Sequence, residues 1–197
     1  NQIYSQSAVA QTMNGLVREI VQTAVANLPA EQGIRVLELG AGTGGTTSGL
    51  LPILPADRSD YLFTDIGATF LNQAQNRFAE HSFMRYQVLD IEQAPVEQGV
   101  ATHQTDIVIA ANVLHATRDL TETLTNVRQL LQPGGQLILV EATTRQNWID
   151  LTFGLTDGWW RFADQRTDHP LLNATQWQQL LTANGFEDVQ IVEQGGQ

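Results

Sequence analysis

Two side chains suited to proton transfer follow two apolar runs of the sequence. His115 comes shortly after the run 105–111, and Glu141 directly follows the run 136–140. If these runs are neighbouring strands about 4.8 Å apart, the carboxylate can fix the imidazole tautomer and leave the other ring nitrogen to accept a proton. The spacing therefore predicts a His–Glu general base. The alternatives are a buried histidine that bonds a local carbonyl and a helix-capping glutamate.

The other histidines and the tryptophans have less specific positions. His81 and His103 lie in polar turns, where we expect them to be exposed, and His169 lies in a loop from which it could face a substrate. Trp159 and Trp160 belong to an aromatic stretch. We expect their rings to fill core or seal a lid contact, and the alternative is an apolar substrate channel.

A glycine-rich loop, E-L-G-A-G-T-G-G at 38–45, follows a β-rich run. Glycines permit a tight turn and let a ligand approach the backbone closely. Acidic residues end three successive predicted strands, at Glu38, Asp65 and Asp90. We expect Glu38 to face a cationic tail, Asp65 to accept from ribose hydroxyls, and Asp90 to accept from an adenine amino group. Together they suit an adenosine with a positively charged tail.

The same loop satisfies a second pattern. Gly40, Gly42 and Gly45 match the dinucleotide motif G-x-G-x-x-G, so a nicotinamide-dependent oxidoreductase is an alternative. Each acid taken alone could also be a helix cap or a solvated loop residue.

Strands and helices that alternate along the sequence must position these residues. We predict strands at 34–39, 60–64, 83–89, 105–111, 136–140 and 186–193, and helices at 8–28, 45–54, 68–80, 119–131 and 174–184, with an amphipathic aromatic segment at 146–163. This alternation predicts one α/β domain over 1–197, with a mostly parallel sheet covered by helices on both faces. We expect the strand order 3-2-1-4-5 plus a C-terminal strand, and an N-terminal helix (1–30) that packs on the core.

Composition excludes several classes of function. The 197 residues carry 21 acidic and 10 basic side chains, a net charge of −11, and every basic residue is arginine. Such a protein repels polyanions, so we expect neither a nucleic-acid nor a membrane partner. The absence of cysteine excludes disulfides and thiolate nucleophiles and fits a cytoplasmic protein. No histidine pattern predicts a metal site, and the start at Asn1 suggests an excised piece.

Several motifs together resemble a known family. The pattern E-x-G-x-G-x-G at 38–44, the acid after the second strand, L-D-I at 89–91 and L-x-P-G-G at 131–135 resemble class I S-adenosylmethionine-dependent methyltransferases with a Rossmann-like fold. The stretches N-V-L-H-A-T (112–117), E-A-T (141–143), G-L-T-D-G-W-W-R-F (154–162) and R-T-D-H-P-L-L (166–172) are similar to the C-methyltransferase domains of modular polyketide synthases, over nearly the whole sequence.

This resemblance implies α-methylation of a β-ketoacyl thioester on an acyl carrier protein, with S-adenosylmethionine as cofactor and S-adenosylhomocysteine as product. His115 and Glu141 match the family's catalytic pair. The expected cofactor-binding residues are Glu38, Gly40, Ala41, Gly42, Gly44, Asp65, Ile66, Asp90, Ile91 and Asn112. Trp159, Trp160 and His169 are expected to contact the substrate.

The same resemblance implies partners and leaves alternatives open. The expected partners are the carrier protein and neighbouring synthase domains, and Arg145, Arg161 and Arg166 are candidates for a basic docking patch. The family's upstream lid is expected to be absent from this protein. An O-methyltransferase domain of a similar assembly line and an inactive structural domain remain alternatives.

Overall fold

The computed structural model describes residues 8–192. Five strands alternate with helices, as the sequence predicts. In sequence order the elements are α1 (Ala8–Asn27), β1 (Ile34–Leu39), α2 (Gly45–Leu50), β2 (Ser59–Asp65), α3 (Ala68–Arg77), β3 (Met84–Val88), β4 (Thr105–Ala111), α4 (Leu120–Leu130), β5 (Leu131–Val140), α5 (Asn147–Thr152) and α6 (Ala174–Ala183). Short 3-10 turns occupy Leu51–Ile53, Pro95–Gln98, Leu114–Ala116 and Asp157–Trp160.

The five strands form one parallel sheet in the order β3-β2-β1-β4-β5, which confirms the predicted order. Leu37 in β1 pairs with Leu62 in β2 and with Val108 in β4. All carboxyl ends therefore meet at one edge of the sheet. The backbone reverses its direction of winding between β1 and β4, and ligands of such sheets bind outside that switch point.

Alternate residues of each strand bury against opposite layers of helices. On one face, Leu37 and Val108 join a core cluster with side chains of α4 and α6, such as Leu124 and Leu180. On the other face, the core cluster contains Tyr61 of β2, together with side chains of α1, α2 and α3 that include Val17, Leu50 and Leu71. Helices thus cover both faces, as predicted.

The predicted strand at 186–193 is wrong for the residues that the structure describes. Residues 186–192 form no strand, and residue 193 lies outside the described range. The physical reason is the backbone of Asp188, whose φ of 51° is incompatible with an extended conformation. Phe186 and Val189 still pack against the core, so the apolar pattern reflected burial and not strand pairing.

The loop between β4 and α4 has fixed ends. At its end, Asp119 caps α4 by accepting hydrogen bonds from the amides of Thr121 and Glu122, at 2.8 and 3.0 Å. At its start, the Asn112 amide donates to the Val140 carbonyl at 2.7 Å. The loop that carries His115 is therefore short and anchored at both ends.

In the described part of the protein, no helix has the length and apolarity needed to cross a membrane.

Candidate active site

The structure brings His115 and Glu141 together. His115 lies in the 3-10 turn after β4, Glu141 directly follows β5, and Ala111 of β4 is in register with Val140 of β5. The imidazole Nδ1 lies 2.6 Å from Glu141 Oε2. Their side chains are 10% and 2% exposed. The Nδ1–H therefore donates to a buried carboxylate, and a buried charge-assisted hydrogen bond of this kind is strong.

Glu141 also holds the backbone of the turn. Its Oε1 accepts hydrogen bonds from the amides of Val113 at 3.1 Å, Leu114 at 2.8 Å and His115 at 3.4 Å. Glu141 thus caps the turn of His115 and also pairs with its imidazole. The alternative in which His115 Nδ1 bonds a local carbonyl is wrong, because its partner is Glu141. Among the described residues, no hydrogen bond engages His115 Nε2, which leaves this nitrogen able to accept a proton.

Aromatic rings surround the imidazole of His115. The Trp159 ring meets it edge-on, with centroids 5.3 Å apart, and stacks on Phe153 at 5.8 Å. Trp159 is buried, while Trp160 is about half exposed. His169 is buried too: its Nε2 lies 3.0 Å from Asp150, and its Nδ1 accepts from the Leu171 amide. Both its ring nitrogens are engaged and its ring packs edge-on against Trp159, at 6.0 Å, while its contact with a substrate stays a prediction.

The remaining histidines lie far from this site. His103 precedes β4 and is exposed, as expected. His81 precedes β3 and is half-buried, because its ring packs edge-on against Phe83 at 5.6 Å. Both belong to the edge of the sheet where the strands begin, opposite His115.

The glycine loop after β1 has a left-handed backbone at three positions. Gly40, Gly42 and Gly44 have φ values of 55°, 54° and 73°. The Gly42 amide donates to Asp65 Oδ2 at 3.0 Å, and the Ala41 amide donates to the Thr64 carbonyl at 2.9 Å. The second strand therefore holds the loop in a fixed conformation.

Asp65 holds the backbone on both sides through its two carboxylate oxygens. Its second oxygen, Oδ1, accepts from the Gly67 amide at 2.8 Å, so each oxygen holds one backbone amide. A carboxylate oxygen can accept a second hydrogen bond, so the hydroxyls of a ligand are compatible with these contacts.

Glu38 differs from the sequence expectation. Its carboxylate is 2% exposed and accepts from the hydroxyls of Tyr61, at 2.5 Å, and Thr47. The side chain is thus held between β2 and α2 and not exposed towards a cationic ligand. Burial raises the pKa of Glu38 from 4.5 to about 7, although the hydrogen bonds from Thr47 and Tyr61 oppose this rise. Burial, together with the neighbouring carboxylate of Glu38, raises the pKa of Tyr61 well above its usual value.

The other expected cofactor contacts lie at the same edge of the sheet. Asp90 Oδ1 accepts from the Glu92 amide at 3.0 Å, and Ile91 beside it is buried. Ile66 is two-thirds exposed. Asn112 has a φ of 54°, and its Oδ1 accepts from the Ala142 amide at 3.2 Å. Asn112 therefore bridges the ends of β4 and β5.

These residues fit S-adenosylmethionine. Carboxylates at the ends of β2 and β3 can accept from hydroxyl and amino groups, as an adenosine requires. A Cβ built on Gly42 would meet only the Gly40 carbonyl, at 3.9 Å, so the loop is open at this position and a ligand can approach its backbone. Within residues 8–192, no group of three or more acidic or histidine side chains is placed to hold a metal ion.

Arg166 lies buried beside the turn that carries His115. Its side chain is 0% exposed, so it cannot belong to a docking patch, and that expectation is wrong. The guanidinium donates to the His115 carbonyl at 2.7 Å. The two residues are 51 positions apart, so no local pattern signals the contact. Arg145 and Arg161 are about half exposed, but each is already paired, with Asp168 and Glu92 respectively.

The protein is similar to known methyltransferases and polyketide synthases. A family model described as "Methyltransferase domain" matches residues 37–137. The non-reducing polyketide synthase mapC of Penicillium brevicompactum is 42% identical over 190 residues, which are 94% of this protein and 8% of that one. The polyketide synthase ThaG of Burkholderia thailandensis is 43% identical over 194 residues, which are 95% of this protein and 3% of that one.

Solved structures show the same likeness. The CurJ carbon methyltransferase is 52% identical with a TM-score of 0.95, over 99% of this protein and 53% of that one. The trans-methyltransferase CalH, in complex with SAH, is 44% identical with a TM-score of 0.73, over 78% of this protein and 44% of that one. The sequence thus spans about half of these solved proteins and under a tenth of the synthases. Because the family model covers just over half of its residues, the protein belongs to the methyltransferase domain family.

Proposed function

We propose that this protein methylates the α-carbon of a β-ketoacyl thioester carried on an acyl carrier protein, within a cytoplasmic polyketide assembly line. The observation that carries the proposal is the 2.6 Å contact between His115 Nδ1 and Glu141 Oε2 at the carboxyl edge of the sheet. The similarity to polyketide synthases and to a carbon methyltransferase supports the substrate class. The neighbouring domains of such a synthase are the proposed partners, together with the carrier protein.

Proton removal is the step that this protein's own residues perform. The α-carbon lies between two carbonyl groups, and its proton is therefore acidic enough for an imidazole to remove. Glu141 Oε2 accepts from Nδ1–H, so Nε2 is the nitrogen that takes the proton. The same carboxylate stabilises the imidazolium that forms, as in other acid–histidine pairs.

The remaining site residues would bind the cofactor or shield the imidazole from water. Asp65, Asp90 and the loop 40–44 would hold S-adenosylmethionine, which when bound supplies an electrophilic methyl group. Trp159 covers one side of the imidazole, which is only 10% exposed. Its shielding keeps the hydrogen bond between His115 and Glu141 in a medium of low polarity, where the bond is stronger.

The test is methyl transfer by a His115→Ala variant. With S-adenosylmethionine and a β-ketoacyl carrier protein, we expect the rate to fall by about 100-fold or more, because general-base catalysis contributes roughly that much. The affinity for S-adenosylmethionine, measured by calorimetry, should stay within about twofold. The matched control is His81→Ala, which removes an imidazole at the opposite edge of the sheet and should leave the rate unchanged. An unchanged rate in His115→Ala would contradict the proposal.

The product distinguishes methylation at carbon from methylation at oxygen. S-adenosylmethionine with an isotope-labelled methyl group is used. Hydrolysis of the thioester in acid gives a β-keto acid that loses CO₂, and a labelled methyl group on the α-carbon remains on the ketone that mass spectrometry detects. A methyl group on the enol oxygen is lost under the same treatment. A ketone without the transferred methyl group would therefore favour the O-methyltransferase alternative.

A further inference from the structure

The buried guanidinium of Arg166 holds backbone carbonyls of the loop that carries His115. Its nitrogens donate to the carbonyls of His115 at 2.7 Å, Thr117 at 2.6 Å and Arg118 at 3.2 Å. The guanidinium also lies over the ring of Phe162, at 5.2 Å from its centroid. Every one of these loop contacts is to the backbone, so they fix the path of the loop whatever its side chains do.

Asp164 compensates the buried charge and contacts the end of the same loop. Its Oδ1 lies 2.8 Å from Arg166 Nε, and its Oδ2 accepts from the Leu120 amide at 2.9 Å. Burial alone would raise the pKa of Asp164, but the hydrogen bonds from Arg166 hold it below its usual value. Removing two charges from water costs free energy, and a buried ion pair is weak support for stability. A role in fixing one conformation explains the pair better.

The turn of His115 has few internal contacts of its own. Two backbone hydrogen bonds span it, from the Ala116 amide to the Val113 carbonyl and from the Thr117 amide to the Leu114 carbonyl, each at 3.0 Å. Glu141 holds the amides of Val113, Leu114 and His115 from one side. Arg166 holds carbonyls from the other. The peptide units around His115 are therefore held at both their donors and their acceptors.

We propose that Arg166 is a positioning residue for His115: it fixes the turn so that the imidazole meets Glu141 and presents Nε2 in one place. The catalytic part of this inference rests on the proposed function. Arginine suits the role because its planar guanidinium offers five N–H donors in fixed directions, whereas lysine offers three from a single atom.

The kinetic test compares Arg166→Lys with the wild-type protein. We expect kcat for methyl transfer to a β-ketoacyl pantetheine thioester to fall by about 10- to 100-fold, because small misplacements of a catalytic group cost about that much. The KM of the thioester and the Kd of S-adenosylmethionine should stay within about twofold. Arg85→Lys is the matched control, since Arg85 pairs with Asp60 at the opposite edge of the sheet. An unchanged kcat, or an equal loss of kcat and cofactor affinity, would overturn the inference.

A spectroscopic readout separates this inference from the proposed function. The Nδ1 proton of His115 should give a strongly deshielded proton NMR signal in the wild-type protein, because it is hydrogen-bonded to Glu141. In Arg166→Lys the signal should shift or broaden, and in Arg85→Lys it should not. This outcome supports positioning even if the wild-type protein fails to methylate the thioester, in which case only the proposed function fails. An unaltered signal overturns positioning.

Folding is monitored by circular dichroism. If Arg166→Lys does not fold, Asp164→Asn takes its place, because it keeps the guanidinium and leaves a single acceptor oxygen for Arg166 and the Leu120 amide. Asp164→Asn should change kcat and the His115 signal in the same direction. If neither variant folds, Arg166 has a structural role only, and the inference is wrong.

Discussion

Gly40 and Val113 lie so close that a side chain on Gly40 has no room. A Cβ built on Gly40 would be 2.5 Å from Cγ2 of Val113 and 2.9 Å from its Cγ1. Val113 directly precedes the turn of His115, so the glycine loop and the proposed catalytic turn are packed against each other. Gly40 also has a φ of 55°, which disfavours any residue with a Cβ. A displacement of the proposed cofactor loop should therefore also displace the turn that carries the base.

Gly40→Ala should disturb both the glycine loop and the turn of His115. We expect the free energy of unfolding in urea to fall by about 2–4 kcal/mol, from the strained φ and the overpacking together. The affinity for S-adenosylmethionine should fall by about tenfold or more, because the loop must move. The matched control is Gly99→Ala, where φ is 76° but no atom lies within 4 Å of the new Cβ. Equal losses in both variants would show that the contact with Val113 contributes nothing.

Glu141→Gln should prevent His115 from acting as the base, although the turn of His115 should stay in place. The glutamine oxygen can still accept from the turn amides, but its NH₂ group would then face His115 Nδ1 and favour the tautomer with hydrogen on Nε2. That tautomer cannot take a proton at Nε2, so the rate constant of methyl transfer should fall by about 100- to 10,000-fold. Single-turnover methyl transfer measures this change.

The control for this substitution is Glu97→Gln, which alters an exposed carboxylate in the turn Pro95–Gln98. It should leave the single-turnover rate unchanged. If Glu141→Gln kept a wild-type rate, Glu141 would serve only to cap the turn.

The strand order and the pairing of His115 with Glu141 could be predicted because both follow from general rules. Alternating strands and helices give a parallel sheet with right-handed crossovers, and residues that follow neighbouring parallel strands meet at one edge. The glycine pattern alone was ambiguous, since it also fits dinucleotide enzymes. The nicotinamide alternative proved wrong because the protein belongs to the methyltransferase domain family.

Two other side-chain contacts could not be predicted. Glu38 is 23 residues from Tyr61, and Arg166 is 51 residues from His115. Neither pair consists of residues that follow the carboxyl ends of two neighbouring strands, so the rule that predicts the contact of His115 with Glu141 does not apply, and Glu38 was expected to face a ligand and Arg166 to be exposed. The missing C-terminal strand has a different cause: the left-handed φ of Asp188 does not follow from its residue type, because aspartate tolerates both conformations.

Asp65→Asn should weaken the binding of S-adenosylmethionine and lower the stability of the fold. An amide has one acceptor oxygen, so the variant can hold the amide of Gly42 or that of Gly67 but not both. We expect the affinity for S-adenosylmethionine to fall by about tenfold and the free energy of unfolding by about 1–2 kcal/mol. Calorimetric titration and urea unfolding measure the two effects.

Asp106→Asn is the matched control for Asp65→Asn. Its carboxylate also joins two donors, the Arg35 amide at 2.7 Å and the Gln132 side chain at 2.5 Å, but at the opposite edge of the sheet. This variant should lose a similar amount of stability and keep its affinity for the cofactor. A parallel loss of affinity in both variants would mean that Asp65 acts through stability alone.

Glu38→Gln should change how stability depends on pH. The pKa of Glu38 is raised from 4.5 to about 7, so between these values the folded protein binds more protons at this site than the unfolded protein. The contribution of Glu38 to the free energy of unfolding is therefore fully present below about pH 4.5 and is lost as the pH rises through about 7. At its upper bound this loss is about 3 kcal/mol.

Glutamine is neutral at every pH and keeps an acceptor oxygen for Tyr61 and Thr47. The free energy of unfolding of Glu38→Gln, minus that of the wild-type protein, should therefore increase with pH across this window and level off above about pH 7. Urea unfolding at several pH values measures the difference, in which the other titrating groups cancel. Glu97→Gln, at an exposed position, should give a difference close to zero throughout. A constant difference for Glu38→Gln would show that the Glu38 carboxyl titrates in the folded protein as it does in the unfolded one.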